Sequence, residues 1–230
     1  MQLLAKHAEF ADLLTELPKV IRRNDSAGVA ALVLLSRQPN VDADKLIERC
    51  QELLELAKSQ PLEMHPLDLV EAIANLNSHA QPLVPVLIEL AKSENDQLQR
   101  TGITGLMHIG PGAQTALPTL EAITPRVPPL AVSFNPSVSI TSDDPTTIAN
   151  AIRQTLPSDF FSGAHLLVLP NRVVSTNHLA PHDLAKQAIR WITEPETFAK
   201  ESELNRQVRE ELNRDSTPIT GLGGGGGGFF

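Results

Sequence analysis

The chain has 230 residues, enough for one repeat array or two small domains. Its net charge is −8, which argues against a general nucleic-acid-binding protein because phosphate contacts need clustered cations. The densest basic group, Lys19 with Arg22 and Arg23, is too small for such a footprint and indicates a solvated helix end. Aromatic residues are scarce, with seven Phe, one Trp and no Tyr, so small aliphatic side chains must fill a closely packed core.

Neither an intrachain disulfide nor a membrane span is expected. Cys50 is the single cysteine and lies among leucine and isoleucine residues, which predicts a buried, inert thiol and favours reducing surroundings. The apolar run 27–35 has the length of a signal-peptide core, but Asp25 interrupts its basic flank and no small-residue cleavage site follows. The run is also too short to cross a bilayer, so we expect a cytoplasmic protein.

The first 124 residues show helical periodicity nearly throughout, with short connections that carry Asn, Asp, Gly or Pro. Ser26 and Asp42 are predicted helix caps, and Pro39 and Pro61 are predicted stops. The predicted helices are 2–17, 27–37, 43–59, 66–78, 80–92, 95–109 and 113–123. We expect them to form antiparallel pairs, with the amphipathic helix 2–17 covering one end of the stack.

A segment of this region repeats after 33 residues. Residues 80–87 align with residues 113–120, and four of the eight positions are identical. Upstream, Val70, Ile73 and Leu76 fall opposite Ile103, Leu106 and Ile109. A repeat of this length is typical of stacked helix pairs, so the sequence predicts a mainly α fold built on a short α-solenoid.

Two glycines lie inside the predicted helix 95–109, where glycine costs about 1 kcal/mol relative to alanine. Close approach of a neighbouring helix backbone would offset this cost. Gly102 and Gly105 therefore predict tight packing between adjacent helices.

The chain changes character at Pro125, where a Pro-rich linker begins. The linker is predicted over 125–144, with short alternating runs at 131–134 and 137–140 that indicate an edge strand. We predict four units: a helical repeat domain over 1–124, the linker, a smaller helical segment over 145–214, and a Gly-rich tail over 215–230.

The predicted C-terminal segment mixes helices with a short β-hairpin. Asp144 is expected to cap a helix over 145–156, and strands are expected at 166–169 and 172–175. Two further helices are predicted at 182–193, with Trp191 on the apolar side, and at 195–213. The last helix carries an apolar stripe of Leu204, Val208 and Leu212 and predicted ion pairs Glu196–Lys200 and Glu210–Arg214.

Residues 97–120 resemble the HEAT-like repeats common in bacterial proteins, including the short type named after phycobilisome lyases. Arg100 matches the arginine that often occurs early in the first helix of those repeats. Further matching positions are Leu106, Ile109, Gly110, Ala113, Pro118 and Leu120. Residues 66–92 give a second repeat, whereas the pair 26–59 rests on periodicity alone. The resemblance implies a binding scaffold and no catalytic residue.

Repeat length alone would also allow ankyrin or tetratricopeptide arrays. Ankyrin repeats carry a Thr-Pro-Leu-His signature, of which the segment 64–67 (Met-His-Pro-Leu) is only a faint echo. Tetratricopeptide repeats use aromatic residues that this chain lacks.

His178, His182 and Asp183 offer two imidazoles and a carboxylate near a predicted helix start. Zinc needs three or four ligands in fixed geometry, and Pro181 breaks the helical spacing between the two histidines. A capping role at an exposed turn is therefore favoured, and no metal or cofactor is expected. His79 occupies a different repeat register from His108, and both are expected in loops or grooves between helices.

The favoured hypothesis is a non-catalytic protein–protein interaction scaffold that uses its HEAT-like face, with protein partners and no nucleic acid. The predicted partner-binding residues are Arg100, His108, Gln114, Phe229 and Phe230. The two phenylalanines end a tail with six consecutive glycines, which predicts a flexible tether with a compact anchor; the alternative is an end without a role.

Two other functions stay open at this point. The first is an accessory subunit of a larger complex, anchored by its C-terminal segment. The second is a lyase-type, enzyme-associated protein. The second alternative places its site within 157–183.

Overall fold

The computed structural model describes residues 26–38, 41–59, 68–123, 137–139, 141–155, 166–170, 172–176 and 179–214. The predicted helix 2–17, the alternating run 131–134 and the tail 215–230 lie outside these residues. The described part of the chain is mainly helical, as predicted.

Helices fill the N-terminal part of the described chain. They are α1 (Ser26–Ser36), α2 (Ala43–Ser59), α3 (Asp68–Leu76), α4 (Val84–Ala91), α5 (Asp96–Ile109) and α6 (Leu117–Glu121). The predicted cap on α2 is confirmed, because the backbone N–H of Lys45 donates to Asp42 Oδ1 at 3.4 Å. The predicted helices 80–92 and 113–123 both begin differently: each α-helix is preceded by a 3-10 turn, Asn77–Leu83 or Gly110–Ala116.

The sequence repeat is also a repeat of the backbone. Asn77 and Gly110, 33 residues apart, both adopt positive φ, at 49° and 63°. A 3-10 turn starts at each of them, and an α-helix with proline in its first turn, Pro85 or Pro118, follows after the same interval. Glycine adopts positive φ without steric cost and asparagine tolerates it, so both residues allow the chain to leave the preceding helix.

Helix α5 packs closely against α4. A Cβ atom on Gly102 would lie 2.4 Å from the backbone nitrogen of Ala91 and 2.6 Å from the carbonyl oxygen of Leu87. At Gly105, a Cβ atom would lie 2.7 Å from a methyl group of Leu87. The tight packing predicted from the two glycines is therefore confirmed.

The C-terminal elements are β1 (Ser137–Ser139), α7 (Pro145–Thr155), β2 (Leu166–Leu169), β3 (Arg172–Ser175), α8 (Pro181–Thr193) and α9 (Pro195–Arg214). The strands form an antiparallel sheet in the order β1-β3-β2. This confirms the predicted hairpin and the edge strand near 137–140. The cap on α7 is also confirmed, since Asp144 Oδ2 accepts from the backbone N–H of Thr147 at 2.7 Å. No helix in these described ranges is long and apolar enough to cross a membrane.

Helix α9 lies against α7 and the sheet. Its predicted apolar stripe packs into a small core; the core residues are Ile148, Ile152, Leu166, Val168, Val173 and Val208, with Leu204 and Leu212 partly buried. Asn205, which is 2 % exposed, accepts from the backbone N–H of Val168 at 2.7 Å and donates to its carbonyl at 2.9 Å. The side-chain amide thus takes the place of a neighbouring strand at the outer edge of β2.

The ion pairs on α9 differ from those predicted. Glu210 pairs with Arg206, one turn earlier, while Arg214 pairs with Glu211 at 2.9 Å. Lys200 lies 3.9 Å from Asp143 rather than beside Glu196. Several carboxylates lie within one turn of each cation, so helical spacing alone does not decide between them.

Helix α8 covers the flank of α5. The fully buried Trp191 makes edge contacts with the ring of His108, at a centroid distance of 5.9 Å, and with Phe198, at 5.6 Å. The main apolar core runs without interruption from α1 to α8. The C-terminal segment thus shares its core with the helical repeats across the predicted linker.

Candidate functional site

Arg100, predicted to bind a partner, is engaged inside the chain. Its Nε donates to Asp96 Oδ2 at 2.6 Å, and its Nη1 donates to the carbonyl of Thr176 at 3.2 Å and to that of Leu179. The guanidinium thereby fastens α5 to the segment between β3 and α8. This gives Arg100 a structural task, and its partner-binding role stays a prediction.

His108 and Gln114, two further predicted partner-binding residues, lie in different surroundings. His108 is 9 % exposed beside Trp191, whereas Gln114 is exposed on the 3-10 turn before α6. Phe229 and Phe230 lie outside the described residues. The role predicted for each of these four residues stays a prediction.

His182 and Asp183, two of the three side chains weighed as metal ligands, lie at the start of α8. Ala180 is the residue that precedes α8, and it makes no side-chain cap. His182 and Asp183 lie within the first turn instead, with Nε2 of His182 3.2 Å from Asp183 Oδ1. The predicted capping role of these two side chains is therefore wrong, because the cap position is Ala180, two residues before His182 and three before Asp183. His178 is outside the described residues.

The described ranges contain no group of three or more His, Cys, Asp or Glu side chains placed to hold a metal ion. Cys50 is fully buried, and this burial raises the pKa of its thiol to about 12 because the thiolate would lose its hydration. The prediction of a buried, unreactive thiol agrees with this environment.

A cavity of about 710 Å³ lies between α1 and α3 on one side and α9 on the other. We name it the arginine cleft after Arg37, Arg206, Arg209 and Arg214. Three carboxylates also line it: Glu71, Glu203 and Glu210. Arg214 pairs in addition with Glu211, beside the cleft, at 2.9 Å.

Two of the four arginines are held by carboxylates of the cleft. Arg37, which directly follows α1, pairs with Glu71 on α3. Arg206 donates from Nε to Glu203 Oε2 at 2.8 Å and also pairs with Glu210. The hydrogen bond to Glu203 raises the pKa of Arg206 and lowers the pKa of Glu203, so both groups stay charged.

Arg209 differs from its neighbours. Its Nε donates to the backbone carbonyl of Asn205 at 3.3 Å, and within the described part of the chain no carboxylate pairs with its guanidinium. Burial lowers its pKa because the cation loses water, while the charge of Glu71 opposes this and that of Arg37 adds to it. Arginine nevertheless remains protonated at neutral pH. Its two terminal nitrogens are therefore charged donors without a bound acceptor among these residues.

The hydroxyl groups at the cleft are directed to the backbone. Ser36 Oγ donates to the carbonyl of Val33 at 2.7 Å, and Ser202 Oγ donates to that of Ala199 at 3.4 Å. The arrangement favours binding of an anion, because guanidinium groups form strong paired hydrogen bonds with oxyanions.

Of the predicted partner-binding residues, His108 lines this cleft, but the arginines and glutamates of the cleft were not predicted. Part of the signal was present, since Glu203, Arg206 and Glu210 recur at helical spacing on α9, on a face other than the apolar stripe. Arg37, however, lies at the end of α1 and Glu71 lies on α3, and only the packing of distant segments brings them to α9.

Compared with known proteins, the chain matches no protein-family model, no curated protein and no solved structure. The resemblance to HEAT-like repeats therefore stays a prediction drawn from the residues 66–124.

Proposed function

We propose that the protein is a non-catalytic protein–protein interaction module and that its partner binds in the arginine cleft. In this proposal α1–α6 form a short α-solenoid of HEAT-like helix pairs, and α9 supplies the opposite wall of the binding site. The backbone repeat that starts at Asn77 and Gly110 supports the solenoid part of the proposal. Helical repeats present extended surfaces to other macromolecules, which supports the scaffold part.

The observation that carries the proposal is that the guanidinium of Arg209, inside the cleft, pairs with no carboxylate of the described residues. Taking a charge partly out of water costs free energy, and this cost is offset when an anion binds. A guanidinium in the cleft that is bound to a backbone carbonyl but to no carboxylate of the described residues favours an acidic partner segment.

The accessory-subunit hypothesis has less support. It relied on the tail, which lies outside the described residues, and on the charged helix 195–213. The apolar stripe of that helix, Leu204, Val208 and Leu212, is used within the chain itself. The lyase-type hypothesis relied on 157–183, whose described parts form β2, β3 and the start of α8.

The test compares proteins captured from the source cell by three baits: the wild-type chain, Arg209→Gln and Lys186→Gln. The control residue, Lys186 on α8, has a side chain that is 73 % exposed and does not line the cleft, so both variants lose one positive charge. We expect a stoichiometric partner on the wild type and on the control. We expect roughly tenfold less partner on Arg209→Gln, as for the loss of a charge-assisted hydrogen bond.

Two results would overturn the proposal. The first is the absence of any stoichiometric partner on the wild-type bait. The second is equal retention of the partner by Arg209→Gln and by the wild type.

A further inference from the structure

We propose that the arginine cleft recognises a single carboxylate side chain, supplied by an acidic segment of a protein partner, and that Arg209 is the residue that binds it. This inference rests on the proposed function and assigns the chemical class of the group that enters the cleft.

The hydrogen bonds of Arg209 leave a defined set of donors. Nε is used by the carbonyl of Asn205, so the edge of the guanidinium that contains the two Nη atoms is the part available to a ligand. Two parallel N–H groups in one plane match the two oxygens of a carboxylate. Arg206 cannot compete for the same ligand without giving up Glu203 and Glu210.

The charges around Arg209 favour a monoanion over a dianion. Arg37, Arg206 and Arg214 are each paired with a carboxylate of the described residues, so one incoming carboxylate would match the charge of Arg209. A phosphate dianion would leave the same site with a net negative charge beside Glu71, Glu203 and Glu210. A surface selected for phosphate would be expected to have more unpaired cations and fewer carboxylates.

The volume favours a peptide over a small free acid. At about 710 Å³ the cleft is much larger than one carboxylate needs and lies in the size range of sites that enclose sizeable ligands. Polar neutral side chains, among them Asn75 and Asn77 on the α3 side, also line it. Their amide nitrogens donate within the chain, from Asn75 to Ser36 Oγ at 3.0 Å and from Asn77 to the carbonyl of Asn75 at 3.2 Å. Their side-chain oxygens are suited to accept hydrogen bonds from the backbone of a bound segment.

The experiment is an NMR titration of the full chain that follows the side-chain Nε–H resonance of Arg209. The probes are acetyl-Ala-Glu-Ala-amide, its isostere acetyl-Ala-Gln-Ala-amide, and inorganic phosphate, all at equal ionic strength. We expect the glutamate peptide to saturate the shift, with an affinity roughly tenfold above that of the glutamine peptide. We also expect phosphate to bind more weakly than the glutamate peptide.

Two variants locate the binding. Arg209→Gln should abolish the carboxylate preference, read from resonances of neighbouring residues such as Asn75, while Lys186→Gln should preserve it. The wild-type comparison of the two peptides does not depend on how well a variant folds. Equal affinity for the two peptides, tighter binding of phosphate, or an unchanged preference in folded Arg209→Gln would each overturn the inference.

The two proposals fail in different ways. If the cell supplies a partner that Arg209→Gln no longer captures, but the glutamate peptide is not preferred, the interaction function stands and the carboxylate assignment is wrong. If no partner is captured and neither peptide shifts Arg209, both proposals are wrong.

Discussion

Gly102 lies where α5 crosses α4, and the backbone of α4 leaves no room for a side chain at this position. Glycine within a helix is normally less stable than alanine by about 1 kcal/mol, so replacing an unconstrained helical glycine increases stability. Here a Cβ atom would lie within 2.9 Å of three backbone atoms of Leu87 and Ala91, which cannot move without displacing α4.

We therefore expect Gly102→Ala to lower the free energy of unfolding by about 1–3 kcal/mol, the usual cost of an overpacked core. The measurement is urea unfolding followed by circular dichroism. Gly112→Ala is the control. A Cβ atom on Gly112 would lie 3.2 Å from its nearest neighbour, a side-chain methyl group of Ile109, so this substitution should lower stability less. A stabilised Gly102→Ala variant would show that α4 and α5 are not packed this closely.

At the scale of elements, the N-terminus of α7 depends on one carboxylate. Asp144 Oδ2 accepts from the backbone N–H of Thr147 and from its hydroxyl, at 2.7 and 2.5 Å. These hydrogen bonds lower the pKa of Asp144 from its usual value of 3.8. Because the folded-state pKa is depressed, the stabilisation is present above about pH 3.8 and is lost as the pH falls through the folded-state value.

The prediction is that wild type is more stable than Asp144→Ala at neutral pH and that this difference shrinks as the pH falls below the usual carboxyl pKa. Asp144→Asn keeps an acceptor that does not titrate. The difference in the free energy of unfolding between Asp144→Asn and Asp144→Ala should therefore not depend on pH. Urea unfolding of the three proteins across this pH range measures both differences. A difference between wild type and Asp144→Ala that stays constant into acid would contradict the capping role.

Asn205 joins α9 to the sheet through both polar groups of Val168. Replacing it with alanine leaves a buried N–H and a buried carbonyl without partners, and each such loss is costly. We expect Asn205→Ala to lower the free energy of unfolding by about 2–4 kcal/mol, measured by urea unfolding. Asn150→Ala is a matched control, since Asn150 is exposed and accepts only from Arg153 at 2.9 Å; it should change stability by less than about 0.5 kcal/mol. Equal effects at both sites would contradict the role of Asn205.

Local signals account for most of the helices and strands that were predicted. The periodicity and the cap at Asp42 gave α2, and the turn between 169 and 172 gave β2 and β3. The 3-10 turns after Asn77 and Gly110 were not predicted, because the apolar spacing there also fits an α-helix. They arise where the chain turns sharply at positive φ, and this depends on backbone conformation rather than on hydrophobic pattern.

At the scale of the whole molecule, Trp191 reports on the joint between the repeats and the C-terminal segment. It is the single tryptophan of a chain without tyrosine, and it is fully buried against α5 and α9. Its fluorescence therefore measures the docking of α8, whereas circular dichroism measures helices throughout the chain.

Because the main core runs from α1 to α8, we expect the two signals to unfold in one coincident urea transition. Control samples of Phe198→Leu, which alters the contact with Trp191, should shift both curves together. Separate midpoints would show that the repeats and the C-terminal segment unfold as independent domains at the predicted linker.

The arginine cleft marks the limit of prediction at this scale. The charged face of α9 can be recognised from the spacing of its residues. The pairing of Arg37 with Glu71 follows from tertiary packing, and so does the absence of a carboxylate partner for Arg209 among the described residues. Arg100 shows the opposite case: its position matched a repeat pattern, yet its contacts with Thr176 and Leu179 involve residues far along the chain.

The amide of Asn205 also has a consequence for self-association. Exposed sheet edges invite strands from other molecules, and many proteins protect them against such aggregation. At β2 the outward N–H and carbonyl of Val168 are already occupied, so a second molecule could extend the sheet there only by displacing α9. Helix α9 thus forms one wall of the cleft and also blocks the addition of a strand from another molecule at this edge.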